Sequence, residues 1–217
     1  MVLYYMVMGI MKLIKPKIRK NLNKVNLDKE LVMNDLIDLE INNQGSDFEI
    51  KAIEFNGCKF VNVDFSRYPI KDIDLIDCIF ERCNLSGSDF TNRGIHRVVF
   101  DRCNMVGVDF ISSSLNDVSI LESKGDYVNF SDSKIKHLVI DNSSLKEGRF
   151  VSTSFEDICF KNCDFRASEF LNTKLKDIDF SSCNIIDLGV NINDIRGIIV
   201  NEEQALMLVN LFGIVIK

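Results

Sequence analysis

The stretch CNLSGSDFTNRGIHRVVFDRCNMVGVDF, residues 83–110, decides the fold. In it Leu85, Phe90, Ile95, Phe100, Met105 and Phe110 stand at every fifth position. A period of five fits neither the 3.6 of a helix nor the 2 of a strand. Outward from this stretch the same lattice runs from Ile50 to Val200. Thirty of its 31 positions are large and apolar, Gly125 being the exception, and they hold 14 of the 16 phenylalanines. A second lattice lies two residues earlier and is small or β-branched: Cys83, Ser88, Val98, Cys103 and Val108. Between the two, Asp and Asn recur, as at Asn84, Asp89, Asn104 and Asp109. A chain that turns a corner every five residues sends two side chains of each five inward, and four corners close a square of twenty. Such squares stack at the inter-strand spacing of about 4.8 Å, so nearly eight coils make a rod of roughly 37 Å. The register does not slip from 50 to 200, which leaves no room there for a long loop.

The pieces CNLSGSDF (83–90), CNMVGVDF (103–110) and CDFRASEF (163–170) resemble the pentapeptide-repeat family, whose consensus is A(D/N)LXX. The resemblance implies an all-β fold, a right-handed quadrilateral β-helix, over residues 50–200.

The flanks are of other kinds. Residues 1–20 join an apolar run, Met1–Met11, to KLIKPKIRK with five positive charges. Eleven apolar residues are too few to span a bilayer, and the charges follow the apolar run instead of preceding it as in a signal peptide. This segment is expected to be a disordered or loosely packed tail, with Met11 an alternative start. Leu22, Leu27, Val32 and Ile37 repeat every five in another register, so 21–37 reads as a poorly formed first coil and 38–49 as a loop or irregular coil, together an N-terminal cap over 21–49. After Val200, the stretch NEEQALMLVNLFGIVIK reads as a helix capped by Asn201 and Gln204, a stop at Gly213, then a short strand. Its apolar residues Leu206, Met207, Leu208, Val209, Leu211, Phe212, Ile214 and Ile216 exceed what one rod end can cover. The excess predicts a two-fold dimer joined at the C-termini, residues 201–217.

The segment 194–217 is similar to the closing segment of the Qnr-type quinolone-resistance proteins, (D/S)xxG(L/V)xVxxxQAxxLxxxLGxxI. Gly197, Val200, Gln204, Ala205, Leu208, Gly213 and Ile216 match it, with Phe212 where Leu is usual. That resemblance implies an acidic, rod-shaped mimic of duplex DNA that binds DNA gyrase and topoisomerase IV in the cytoplasm and relieves fluoroquinolone inhibition. The unbroken register excludes the larger of two projecting loops found in proteobacterial members and favours the loop-poor Gram-positive type.

Charge and chemistry narrow the outside of the rod. Net charge is −6, which speaks against direct nucleic-acid binding; beyond residue 20 it is 21 basic (26 minus 5) against 32 acidic residues, or −11. The face through Ile70, Phe90, Phe110, Phe130, Phe150, Phe170 and Val190 carries Asp72, Asp89, Asp109, Asp132 and Glu169 against Lys71 and Arg149, and is the most negative. The face through Phe80, Phe100, Ile120, Ile140, Phe160 and Phe180 carries Glu81, Asp101, Glu122 and Asp141 among its acids. These nine acids are the candidate partner-binding residues. The Asp and Asn just before each centre have a competing use, bonding the corner backbone. Six of the seven cysteines lie on the small-residue lattice and read as buried small hydrophobes; Cys159 lies off it. His96 and His137 are expected at the surface. A core filled with Phe leaves no cleft, so neither enzyme activity, cofactor, metal nor membrane is expected. The alternative function is a scaffold serving a different protein partner, with Lys134, Lys136, Lys174 and Lys176 breaking up the acidic surface.

Overall fold

The computed structural model describes residues 13–25, 35–42, 53–66, 69–209, 211 and 213–215. Ten strands are introduced in chain order: β1 (Asn23–Val25), β2 (Leu36–Ile37), β3 (Leu39–Asn42), β4 (Glu54–Asn56), β5 (Lys59–Val61), β6 (Asp74–Glu81), β7 (Gly94–Asp101), β8 (Ser114–Leu121), β9 (Lys134–Asp141) and β10 (Ser154–Lys161). All pair in parallel, and from β4 onward residues twenty apart lie side by side: Phe55 on Leu75, Leu75 on Ile95, Phe80 on Phe100, Phe160 on Ile140. The result is a solenoid in which about six turns carry two extended faces of each square, the five-residue steps centred on 75 and 80 and their equivalents. The other two faces are closed by four-residue turns, such as Ser88 N–H to the Leu85 carbonyl at 3.0 Å and Arg93 N–H to Phe90 at 3.1 Å.

The corner has a simple local cause. Two residues after nearly every centre the backbone is left-handed, as at Asp77 (φ 54°), Asn92 (60°), Arg97 (55°), Asp117 (57°) and Asp157 (54°), with Gly87 and Gly107 in equivalent places. Non-glycine residues adopt this conformation at a cost, Asn and Asp least. Here the bonds to the coils on either side hold it: Arg82 N–H reaches the Asp101 carbonyl at 2.8 Å and Asn92 N–H the Ile111 carbonyl at 2.8 Å.

The centres fill the interior. Twelve phenylalanines from Phe55 to Phe180 are the largest fully buried side chains. One column, Phe90, Phe110, Phe130, Phe150 and Phe170, stacks with ring centroids 5.3, 4.9, 5.1 and 4.4 Å apart. Phe155 is the one centre phenylalanine left partly exposed. At the vacant centre, Gly125 N–H still meets the Ser144 carbonyl at 2.7 Å, so the ladder is unbroken and the layer is merely thin. The small-residue lattice seals the coil junctions with hydrogen bonds. Thr153 Oγ1 donates to the Phe130 carbonyl (2.8 Å) and Ser168 Oγ to Leu145 (2.7 Å), each 23 residues back. Cys58, Cys78, Cys103 and Cys163 put their thiols in the same role at 3.1–3.4 Å. All seven cysteines are free, and burial pushes the Cys58 thiol up to about 11.

Four expectations are corrected. The irregular coil placed at 38–49 begins instead as β3, which lies between β1 and β5. Leu36 and Ile41 are the buried centres while Ile37 is 56% exposed, and a coil of nineteen rather than twenty residues (Leu36 on Phe55, Ile41 on Phe60) hides the register from a fixed-period reading. Leu27 and Val32 lie outside the described residues. The chain at 13–20 is not a loose tail but an extended strap laid on the outside of the sheet. The C-terminal helix α1 (Glu202–Val209) forms as expected, but 214–215 is not a strand, and Val215 is 81% exposed. Among the described residues no helix is long and apolar enough to cross a membrane.

Candidate functional site

With the interior packed, chemistry is confined to the surface, and three features stand out: the acidic faces, the strap and the C-terminal end.

The candidate acids fall into distinct local roles. Asp89 Oδ1 accepts from Thr91 N–H at 2.9 Å. The same two-residue Asx bond recurs at Asp64, Asn129, Asp164 and Asp179, so this lattice serves the corners. Asp72, Glu122 and Asp132 occupy left-handed corners (φ 57°, 46° and 59°), which gives Asp there a backbone use as well. Asp72 is paired with Arg93 at 3.3 Å and Glu169 with Arg149 at 3.4 Å. Glu81 sits among Lys59, Arg82 and Arg102; burial alone would raise its carboxyl, but the cations hold it below the usual range. Asp101 is bonded by both arms of Arg102, at 3.1 and 2.6 Å. Asp141 is not a surface acid: it is 3% exposed, burial raises its carboxyl, and its Oδ1 has no hydrogen-bond partner. Asp109 is half-buried and stacks on Asp89, so desolvation and the neighbouring carboxylate both push it up. Besides buried Asp141, the candidate acids that form no ion pair among the described residues are thus Asp89, Asp109, Glu122 and Asp132, with Arg102 near Glu122.

The strap was not foreseen. Ile14 N–H donates to Asp117 Oδ1 (2.9 Å), Lys17 N–H to Asp77 Oδ1 (2.8 Å), and Arg19 pairs with Asp38 (3.0 Å). Asp77 and Asp117 are two coils apart, about 9.6 Å, and three extended residues cover about 10 Å, so strap and rod are commensurate. Leu13 is buried on Val139, with Leu121 and Cys159 against the pair. The signal was present in the outward positions of the extended face: Ile79, Val99 and Val139 are apolar where charge was expected, and Val99 and Val139 are only 8% and 3% exposed. Around the strap acidic and basic side chains alternate. Arg97 bonds Asp77 at 2.6 and 2.8 Å, and His137 lies between Asp117 (3.1 Å) and Asp157 (3.5 Å). Burial works to raise the Asp77 carboxyl, yet Arg97 and the Lys17 N–H hold it below the ordinary range. Among the described residues no cluster of His, Cys, Asp and Glu is arranged to hold a metal.

At the far end Asn201 and Gln204 cap α1 reciprocally: Asn201 Oδ1 accepts from Gln204 N–H at 3.0 Å and Gln204 Oε1 from Asn201 N–H at 2.9 Å. Gln204 is buried and its Nε2 also donates to the Phe180 and Cys183 carbonyls (2.9 and 2.6 Å), which pins the helix to the last coils. Leu206, Met207, Leu211 and Ile214 are 39–55% exposed, whereas Leu208 and Val209 are half-buried. Phe212 and Ile216 lie outside the described residues.

Residues 73–150 match the family profile described as a pentapeptide repeat region. No curated relative matches the chain. Among solved structures, full-length QnrB1, a plasmid-mediated fluoroquinolone resistance protein, is similar at 18% identity over 88% of this chain and 100% of that one, with a TM-score of 0.32. HetL, a pentapeptide repeat protein from the cyanobacterium Nostoc involved in heterocyst differentiation regulation, aligns at 11% identity over 87% and 90% with a TM-score of 0.34. Five-residue corners and stacked squares of twenty make this chain a parallel β-helix of the kind pentapeptide-repeat proteins form, and residues 73–150 match that repeat's profile.

Proposed function

We propose that this chain is a non-catalytic, cytoplasmic protein that binds a type II topoisomerase, DNA gyrase or topoisomerase IV, as a rod-shaped mimic of duplex DNA, and so protects it from fluoroquinolones. The observation that carries the reading is the closing segment: the residues that resemble the Qnr end, Gln204 foremost, are those that fix α1 on the rod. They leave Leu206, Met207, Leu211 and Ile214 exposed. A second copy seated on that apolar patch would make a two-fold rod of doubled length. Along it, the candidate acids in no ion pair, Asp89, Asp109, Glu122 and Asp132, would meet a cationic groove, and excess negative charge speeds such encounters.

A second reading, a scaffold with another protein partner, is favoured by one specific observation. Asp72, Glu81, Asp101 and Glu169 are already neutralised by arginine or lysine, which thins the negative field expected of a duplex mimic. The two readings separate in a supercoiling assay with purified gyrase, with and without ciprofloxacin. Mimicry predicts salt-sensitive inhibition at high protein concentration and rescue of the drug-treated enzyme at lower concentration. Absence of both at moderate salt sinks it and leaves the scaffold.

A further inference from the structure

The stack of extended faces stops after β10. The next coil keeps the register but closes its corner as a turn, Ile178 N–H to the Leu175 carbonyl at 3.2 Å. In earlier coils the extended face is tied to its successor by bonds such as Gly57 N–H to the Ile76 carbonyl (3.0 Å) and Ile79 N–H to the Cys58 carbonyl (2.9 Å). Asp157 N–H and the Ile158 carbonyl hold the equivalent places in β10, and among the described residues neither bonds the coil 174–180. The same two coils stay joined on the other faces, Phe165 N–H to the Asn184 carbonyl at 2.8 Å and Phe170 N–H to Gly189 at 2.7 Å. The break is therefore a window in one face. It opens on a cleft of about 340 Å³ with both polar and apolar walls, Phe155 and Ile158 among the latter. An unpaired strand edge is a template for another extended chain, which brings its own N–H and C=O groups to the pairing.

Charge at the window selects what that chain carries. Up the outside of the extended face acidic and basic residues alternate. Arg97 bonds Asp77 at 2.6 and 2.8 Å and feels Asp117 on its other side, and His137 lies between Asp117 (3.1 Å) and Asp157 (3.5 Å). The alternation fails at the window, where the residue one coil beyond Asp157 is a second acid, Asp177. Both carboxylates are exposed and both line the cleft. Of the two lysines that also line it, Lys174 is committed to buried Asp194 at 2.7 Å, and Lys176 comes no nearer to Asp177 than 3.9 Å. A cation placed between Asp157 and Asp177 would restore the pattern that Arg97 makes between Asp77 and Asp117.

We propose that this window docks an extended segment of a partner protein, which pairs with the free edge of β10 and sets an apolar residue at Phe155 and, two residues later, an arginine or lysine between Asp157 and Asp177. The chain carries the same pattern in β7, where Ile95 is a centre and Arg97, two residues on, bonds the acid of the coil below. Backbone pairing supplies affinity and the charge-assisted bonds supply selectivity. The proposal does not depend on the topoisomerase reading.

The β7 sequence is itself a probe. A fluorescent peptide of Gly94–Asp101, GIHRVVFD, capped at both ends, is titrated into the full-length protein and followed by polarisation. It should bind saturably, and Arg97→Asp in the peptide should weaken binding by about tenfold or more. Asp157→Asn with Asp177→Asn in the protein should weaken the parent peptide by about the same factor. Asn tolerates the left-handed backbone at both positions (φ 54° and 62°), so the melting temperature should hold. Bound peptide should also slow the reaction of N-ethylmaleimide with Cys159, which lines the cleft while the other six thiols are buried. No saturable binding, equal affinity of the Arg97→Asp peptide, or binding that leaves Cys159 as reactive as before overturns the proposal.

Discussion

Replacing Phe110 by Ala tests whether the stacked rings hold the rod together. The Phe110 ring is fully buried, 5.3 Å and nearly parallel (12°) to Phe90 and 4.9 Å and parallel (4°) to Phe130. Burying such a side chain contributes about 1.5–3 kcal/mol, and each aromatic pair adds about 0.5–1.5 kcal/mol beyond area. Backbone bonds to the coils on both sides stop the site from collapsing, because Phe110 N–H is fixed to the Asn129 carbonyl and Asp109 N–H to the Ser88 carbonyl. The cavity therefore persists and the expected loss is about 4–5 kcal/mol, the upper part of the range for Phe→Ala. With a urea m-value near 2.5 kcal/mol/M, the midpoint should fall by about 1.5–2 M. Phe110→Leu keeps most of the volume and should cost less than about 1.5 kcal/mol. A Phe110→Ala midpoint within about 0.5 M of the parent would mean that the interior rings do not stabilise the fold, and the layered account would fail.

Three other outcomes follow from particular contacts. Gly125→Ala should be neutral or stabilising by up to about 1 kcal/mol, since its Cβ would meet only ordinary contacts at 3.5 Å or more. Gly148→Ala should cost about 1–3 kcal/mol, because that Cβ would stand 2.8 Å from the Leu145 carbonyl oxygen; thermal melts of the pair distinguish a spare site from a filled one. Gln204→Ala should cost about 2 kcal/mol or more by unpairing the Phe180 and Cys183 carbonyls, and hydrogen exchange should show α1 opening before the rod. For Asp109, burial and Asp89 raise the folded carboxyl above its unfolded value. The folded state then holds the proton more tightly, so stability falls as pH rises through that window. Asp109→Asn should accordingly raise the melting temperature at pH 7 and lose that advantage near pH 3; a gain independent of pH would contradict it.

The interior was legible because one physical rule, five residues per corner, writes itself as a lattice of large apolar side chains. That lattice places Phe55 to Phe180 inside without exception of kind, Phe155 alone being half-covered. The corners were half legible. Asn and Asp two residues after a centre, at Asn92, Asp117 and Asp157, betray left-handed backbone, yet Arg97, Tyr127 and Glu147 adopt it too because the neighbouring coils impose it. What a fixed period cannot report is a change of period, and the nineteen-residue coil at Leu36 and Ile41 was lost for that reason. Acidity by face was also a poor guide to free charge. Arg93 lies on the next face but reaches Asp72, and Arg102 neutralises its own neighbour Asp101. The strap was missed although Ile79, Val99 and Val139 announced an apolar strip on the outside; apolar residues at outward positions need a cover, and Leu13 supplies part of it.

The strap also sets an order of events during synthesis. Most bonds in the rod join residues twenty or so apart, so each coil can close soon after it leaves the ribosome. Ile14, in contrast, finds its acceptor 103 residues later, at Asp117. At about 5–20 residues per second the ribosome needs about 5–20 s to make that interval. This early segment is thus among the last to settle, and for those seconds Leu13 trails as an exposed apolar arm in need of shelter from neighbouring nascent chains.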